Sequence, residues 1–280
     1  MADKIRSLLR LQRLYARMDL NWVLQDFKAA IIVMIAEIMN NLTAVSGILL
    51  LAVRFGGAGG LSTDEVLLML GFFELADGLC YMFFGNYNVL HISRRVGRGQ
   101  LDHMLIQPRS LTTQLLTEGF FPVSGCSGFL MGIVLTVLAW TRLGLAVTLL
   151  RLGLLALYVL CHTLLILGQN FLYGAAAFRN PVANEEISTL IYDLNMQLGR
   201  FPLFGLPGWL TGLLATILPV GLLAYVPSLA LLGRVSGWMP ALPVLAAGAF
   251  VLAAAACFRA GIRYYLQYSC NRYKDMGHRR

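Results

Sequence analysis

Apolar residues run along this chain in long unbroken stretches, and the polar residues gather between them. Residues 27–53, 66–90, 119–140, 145–173 and 242–258 form five such stretches, each of the roughly 17 residues or more that a helix needs to cross a bilayer. Residues 187–206 read as a sixth crossing despite Asp193 and Arg200. A membrane β-barrel would alternate apolar and polar positions in short strands, so the continuous runs predict helices. Residues 207–240 are apolar but broken by Pro219 and Pro227, and they read as a re-entrant or interfacial hairpin.

Shorter patterns fill in the picture. In the N-terminal segment Arg6, Arg10, Arg13 and Arg17 recur at spacings of four, three and four, which places them on one helix face. Ile5, Leu8, Leu11, Leu14, Tyr15 and Met18 fall opposite. A helix lying in the headgroup layer would use both faces; a solvated helix packed on a partner is the alternative. The glycine-rich turn at 56–60 ends the first stretch. Ser62 or Thr63 then caps the next, with Asp64 and Glu65 in its first turn.

Composition agrees with the pattern. Only 13% of the 280 residues are charged, against 58% hydrophobic, whereas a soluble domain carries about a quarter charged residues. The net charge of +8 would suit nucleic acid, but the basic residues lie beside the spans, where they set orientation. With the N-terminus inside and 207–240 held at the outer face, only Arg54, Arg142, Arg151, Arg200 and Arg234 of the 22 basic residues fall outside the cytoplasmic segments. Both termini are thus expected in the cytoplasm, in a bacterial plasma membrane. No cleavable signal peptide is expected, since the first apolar stretch starts too far in.

The polar chemistry is sparse. Cys80, Cys126, Cys161, Cys257 and Cys270 are scattered without CxxC pairs, so neither a disulfide framework nor a zinc site is indicated. His91, His103, His162 and His278 lack metal-ligand spacing, and Asn41-Leu-Thr43, a glycosylation pattern, lies inside the first span. The GxxxG of Gly208 and Gly212 is a weak helix-contact signal. Glu37, Glu74 and Asp77 lie deep within spans, where a charge costs roughly 2.5–3.5 kcal/mol. They must face protein or water or be protonated, either lining a pathway or binding a cationic substrate, or joining a buried network that fixes helix packing or dimer contacts. Asp193 and Arg200 could pair with groups on other spans.

The loop 94–108 is distinctive. Gly99 permits a turn, Gln100–Ile106 can form a short helix with Leu101, Met104 and Leu105 on one face, and Pro108 stops it. Such a ridge could enter a groove on a soluble partner or pack on the protein's own surface.

Gly99, Gln100, Leu101 and Asp102 followed by Leu105 and Pro108 resemble the G-x-L-D-x-x-L-x-x-P loop of ABC-2-type transporter permeases, the membrane subunits of ABC exporters. Ala177-Phe178-Arg179, Phe201-Pro202-Leu203, Leu218-Pro219 and Tyr225 with Pro227 follow in the family's order, as does the tail 273–277. Arg179 and Phe201 depart from the tryptophan and tyrosine of the pattern. The resemblance spans roughly residues 10–275.

It implies an all-α integral membrane subunit of six transmembrane helices that pairs with a second permease, identical or related, and binds two ATPase subunits. One permease domain, 1–280, would comprise an interfacial helix (1–26), spans one and two (27–90), a cytoplasmic coupling loop (91–118), spans three to five (119–206), an outer re-entrant hairpin (207–240), and span six with a basic tail (241–280). Gly99, Leu101, Asp102, Met104, Leu105 and Pro108 would couple to the ATPases, with Asp102 hydrogen-bonded or ion-paired to them. The chain has no phosphate-binding G-x-x-x-x-G-K-[ST] loop, so ATP and magnesium would sit on the partner. The rival reading is a stand-alone ion-coupled carrier or channel using Glu37, Glu74 and Asp77. A membrane enzyme would need a catalytic set that the sequence does not present.

Overall fold

The computed structural model describes residues 2–85, 92–117, 119–203, 207–216 and 218–268. Among these the fold is helical throughout, apart from one isolated bridge between Ala58 and Leu61. Four helices are long and apolar enough to cross a membrane: α2 (Phe27–Phe55), α3 (Thr63–Phe84), α8 (Leu149–Gly174, continued by a 3₁₀ turn at Ala175–Phe178) and α13 (Leu242–Tyr268, preceded by a 3₁₀ turn at Met239–Ala241). The expected second span extends into residues 86–90, which lie outside the described residues, as do 91, 118, 204–206, 217 and the tail motif at 273–277.

α1 (Ala2–Gln25) ends at Asp26, whose carboxylate accepts from Ala29 N and caps α2. Its Arg6, Arg10, Arg13 and Arg17 are exposed, and so are Leu8, Leu14 and Met18. α2 ends at Gly56, which is left-handed at φ 70°. Ser62 then caps α3 in a reciprocal box, Glu65 N donating to Ser62 Oγ and Ser62 N to Glu65 Oε2 at 2.8 Å.

The expected third span, 119–140, is helical only as α7 (Ser127–Arg142), 16 residues long. The preceding turn is held open by Asp19 of α1. Its carboxylate accepts from Val123 N at 2.8 Å, Ser124 N at 3.2 Å and Ser124 Oγ at 2.6 Å, diverting backbone donors from a helix that Pro122 already disfavours. α7 and α3 form the closest-packed helix pair. Their backbones meet at Gly78 and Gly132, where an added Cβ would collide with Phe129 and Leu75 backbone atoms respectively. Gly128 and Gly132 form the GxxxG spacing that lets backbones approach. Gly212 does not: among the described residues nothing lies within 4 Å of a Cβ built there.

α9 (Pro181–Leu198) begins earlier than the expected 187, because Asn180 Oδ1 accepts from Ala183 N and Pro181 suits the first turn. It is too polar to count among the four apolar helices. α13 outlasts the expected 242–258 by ten residues, with Arg259 and Arg263 exposed on its extension.

Residues 207–231 fold as α10 (Gly208–Thr216), α11 (Val220–Leu223) and α12 (Tyr225–Leu231). Leu203, Leu214 and Val220 form a small core there. The carbonyl of Leu223 reaches His162 Nδ1 at 3.0 Å, about 20 Å along α8 from Leu149 at roughly 1.5 Å per residue. The segment therefore dips to the middle of the bundle and returns. Arg234 fastens the return, bonding Gly60 O at 3.0 Å and Glu65 Oε1 at 2.9 Å.

Candidate functional site

Three helices carry polar stripes at helical spacing, and the fold turns them toward one another. Glu37, Asn40, Asn41 and Ala44 lie on α2; Glu74, Asp77, Gly78 and Tyr81 lie on α3; Tyr192, Asp193, Met196, Gln197 and Arg200 lie on α9 and the turn after it. With Ser127 of α7 they line a half-open cavity of about 520 Å³. That volume falls in the range of small-molecule sites, about 300–1,000 Å³. Glu37, Glu74, Asp77, Asp193 and Arg200 thus come together in one place.

Glu74 is 2% exposed and meets Arg200 Nε at 2.7 Å. Arg200 also donates to Met196 O at 2.7 Å, and its guanidinium lies 4.8 Å from the centre of the Phe73 ring. Glu37 accepts from Ser127 Oγ at 2.9 Å. Asp77 Oδ1 lies 3.8 Å from Nε2 of the fully buried His162. Gln169, below it on α8, accepts from Asn195 Nδ2 of α9. The network reading and the cavity-lining reading thus overlap: Glu74 and Arg200 are paired with each other on the cavity wall, and Asp77 and Asp193 line the same cavity without such a pair among the described residues.

Asn40, Asn41, Tyr81, Tyr192, Gln197 and Ser127 join the site from the fold, Asn41 entering the sequence reading only through a glycosylation pattern. The signal existed for the first two, since Glu37, Asn40 and Asn41 occupy i, i+3 and i+4 of an otherwise apolar span. Among the described residues no group of three or more His, Cys, Asp or Glu side chains is placed to hold a metal ion.

The second region is the loop helix. α4 (Ile92–Gly97) leads through Gly99, at φ 70°, into α5 (Gln100–Leu105), followed by α6 (Leu111–Thr117). Leu101 and Met104 are 2% and 5% exposed and pack with Val96, Leu115, Phe178 and Phe258; Leu105 packs against the same cluster. The apolar ridge therefore faces the chain's own core. Gln114 Nε2 donates to Met104 O at 2.8 Å, and Arg95 Nη1 to Gln100 Oε1 at 2.9 Å. Arg94 of α4 meets Glu185 of α9 at 2.6 Å. Outward from this anchored helix stand His103, Gln107, Pro108, Arg109 and Ile106, the last 81% exposed.

Neither a curated protein nor a solved structure matches the chain. One protein family does, described as ABC-2 family transporter protein, and the match runs over residues 28–269, from the start of α2 to just past the end of α13. Helices able to cross a bilayer, enclosing a polar cavity, suit such a transporter. The chain is a multi-pass membrane protein and belongs to the ABC-2 transporter family.

Proposed function

We propose that this chain is the permease subunit of an ABC exporter, forming the transmembrane pathway with a second permease and driven by two separate ATPase subunits that bind ATP and magnesium. In this reading α2, α3, α7, α8, α9 and α13 are the six crossings, with both termini in the cytoplasm and α10–α12 re-entering from the outer face. Residues 99–108 are the coupling loop. Family membership and the distribution of basic residues support it.

The observation that carries the coupling assignment is Ile106. A large apolar side chain 81% exposed sits at the end of a helix whose other apolar residues are buried or half-buried. A soluble partner gains most from covering such a residue, so the ATPase contact moves from the Leu101 ridge to Ile106, Pro108 and Arg109. Leu101, Met104 and Leu105 then hold the loop to the membrane domain, and the partner's movement is transmitted through them.

The test is affinity capture of the tagged chain from cells expressing its genomic neighbours. An ATPase should co-purify, and Ile106→Asp combined with Arg109→Glu should reduce its recovery while the permease remains monodisperse. Capture of no ATPase, or undiminished recovery by the double variant, would sink the assignment.

A further inference from the structure

We propose that the cavity between α2, α3, α7 and α9 binds an organic cation, and, resting on the exporter reading above, that this cation is the cargo. The first observation is the balance of charge. Glu37, Glu74, Asp77 and Asp193 all reach the cavity, and Arg200 is the one basic residue on its wall among the described residues. Arg200 is already engaged, bonded to Glu74 and to the Met196 carbonyl. The Glu37 carboxylate accepts one hydrogen bond, from the Ser127 hydroxyl. Carboxylates in a membrane interior require a counter-charge or water, and Arg200 cannot serve all four.

The second observation is His162, buried completely behind Asp77. Its Nδ1 faces the Leu223 carbonyl oxygen at 3.0 Å. A carbonyl only accepts, so Nδ1 carries the proton. Nε2 faces Asp77 Oδ1 from 3.8 Å, too far for a hydrogen bond, and has no hydrogen-bond partner of its own. The wall behind Asp77 thus brings no donor within hydrogen-bond distance of this carboxylate. A cation in the cavity can make the contact that the wall leaves out.

Size decides what kind of cation fits. A water occupies about 30 Å³ of liquid, so a cavity of about 520 Å³ is far too roomy for a dehydrated metal ion. The carboxyls are also dispersed over separate helices, with no metal-holding group among the described residues. Tyr81 and Tyr192 line the same space, and aromatic faces attract organic cations that carry little hydration. Dispersed negative charge, two tyrosines and room for a drug-sized body describe a site for an ammonium or phosphonium compound.

The experiment uses the full-length chain with its partner ATPase in lipid nanodiscs and radiolabelled tetraphenylphosphonium as probe. Binding should be saturable, and neutral triphenylphosphine oxide should fail to compete. Glu37→Gln with Asp77→Asn should weaken binding by about tenfold or more, the loss of at least one charge contact, at unchanged ATPase recovery. Asp193→Asn, on the exposed wall, provides a second variant should the first pair fail to fold, and should also weaken binding. Competition by the neutral compound on equal terms, or cation binding unchanged in both variants, overturns the proposal. Cation binding that never stimulates ATP hydrolysis would support the site while counting against the exporter reading, so the two can fail separately.

Discussion

Tyr265, near the end of α13, donates a 2.6 Å hydrogen bond from its phenol to Oδ1 of Asp102 in α5. Two residues 163 positions apart thereby join the loop helix to the last long helix, and the ring of Tyr265 lies against Phe178. Asp102 is the one acidic residue of the short loop helix. It faces a helix of its own chain.

Replacing Tyr265 by Phe removes this bond and keeps the ring. A hydrogen bond to a charged group contributes about 1.5–3 kcal/mol, enough to loosen α5 from α13 without unfolding either. ATPase recovery should be unchanged while cargo-stimulated ATP hydrolysis falls several-fold. Wild-type stimulation in the variant would show that the bond carries no motion.

Glu74 and Arg200 should behave as a unit. Arg200→Met leaves a carboxylate that is 2% exposed without its partner, a loss of about 3–5 kcal/mol for a broken buried pair. Adding Glu74→Gln should recover much of the thermal stability, because the charge requiring compensation is gone. Additive losses in a double-mutant cycle would refute the coupling.

Asp19→Ala withdraws three hydrogen bonds from the turn before α7. Hydrogen exchange should speed up at Val123 and Ser124 and along the C-terminal half of α1, with little change in α8 or α13. Protection that survives the substitution would place the anchor of α1 elsewhere.

The crossing of α3 and α7 leaves no space for a side chain at Gly132. Gly132→Leu should abolish a monodisperse peak in size-exclusion chromatography, as forced overpacking and helix separation predict. Gly212→Leu, in a region open among the described residues, should run as wild type. The reverse ranking would mean that the crossing is not where the helices touch.

Much of this architecture was legible in the sequence because long apolar runs and caps are local signals. The start of α2 at Phe27, the cap at Ser62 and the Gly99 turn all follow from nearest neighbours in the chain. The boundaries of α7 and α9 were not legible to the same degree. Asp19 acts on Val123 across more than a hundred residues, and Asn180 recruits a polar segment into α9 that composition alone reads as a break. The ridge of Leu101 and Met104 was read correctly as a helix face, but whether that face meets self or partner depends on Phe178 and Phe258, which only the fold brings near. Glu74 and Asp77 were legible as costly residues, whereas the pairing of Glu74 on the wall it shares with Asp77 required knowing where Arg200 lands.

α2 is the least buried of the four long apolar helices, interrupted at one end by Asp26 and at the other by the left-handed Gly56. It packs far less extensively on α3 and α7 than those two do on each other. Swinging it outward would break few interactions and would carry Glu37, Asn40 and Asn41 with it. Of the walls around the chamber, α3 and α7 brace each other, whereas α2 holds its carboxylate and amides against them lightly.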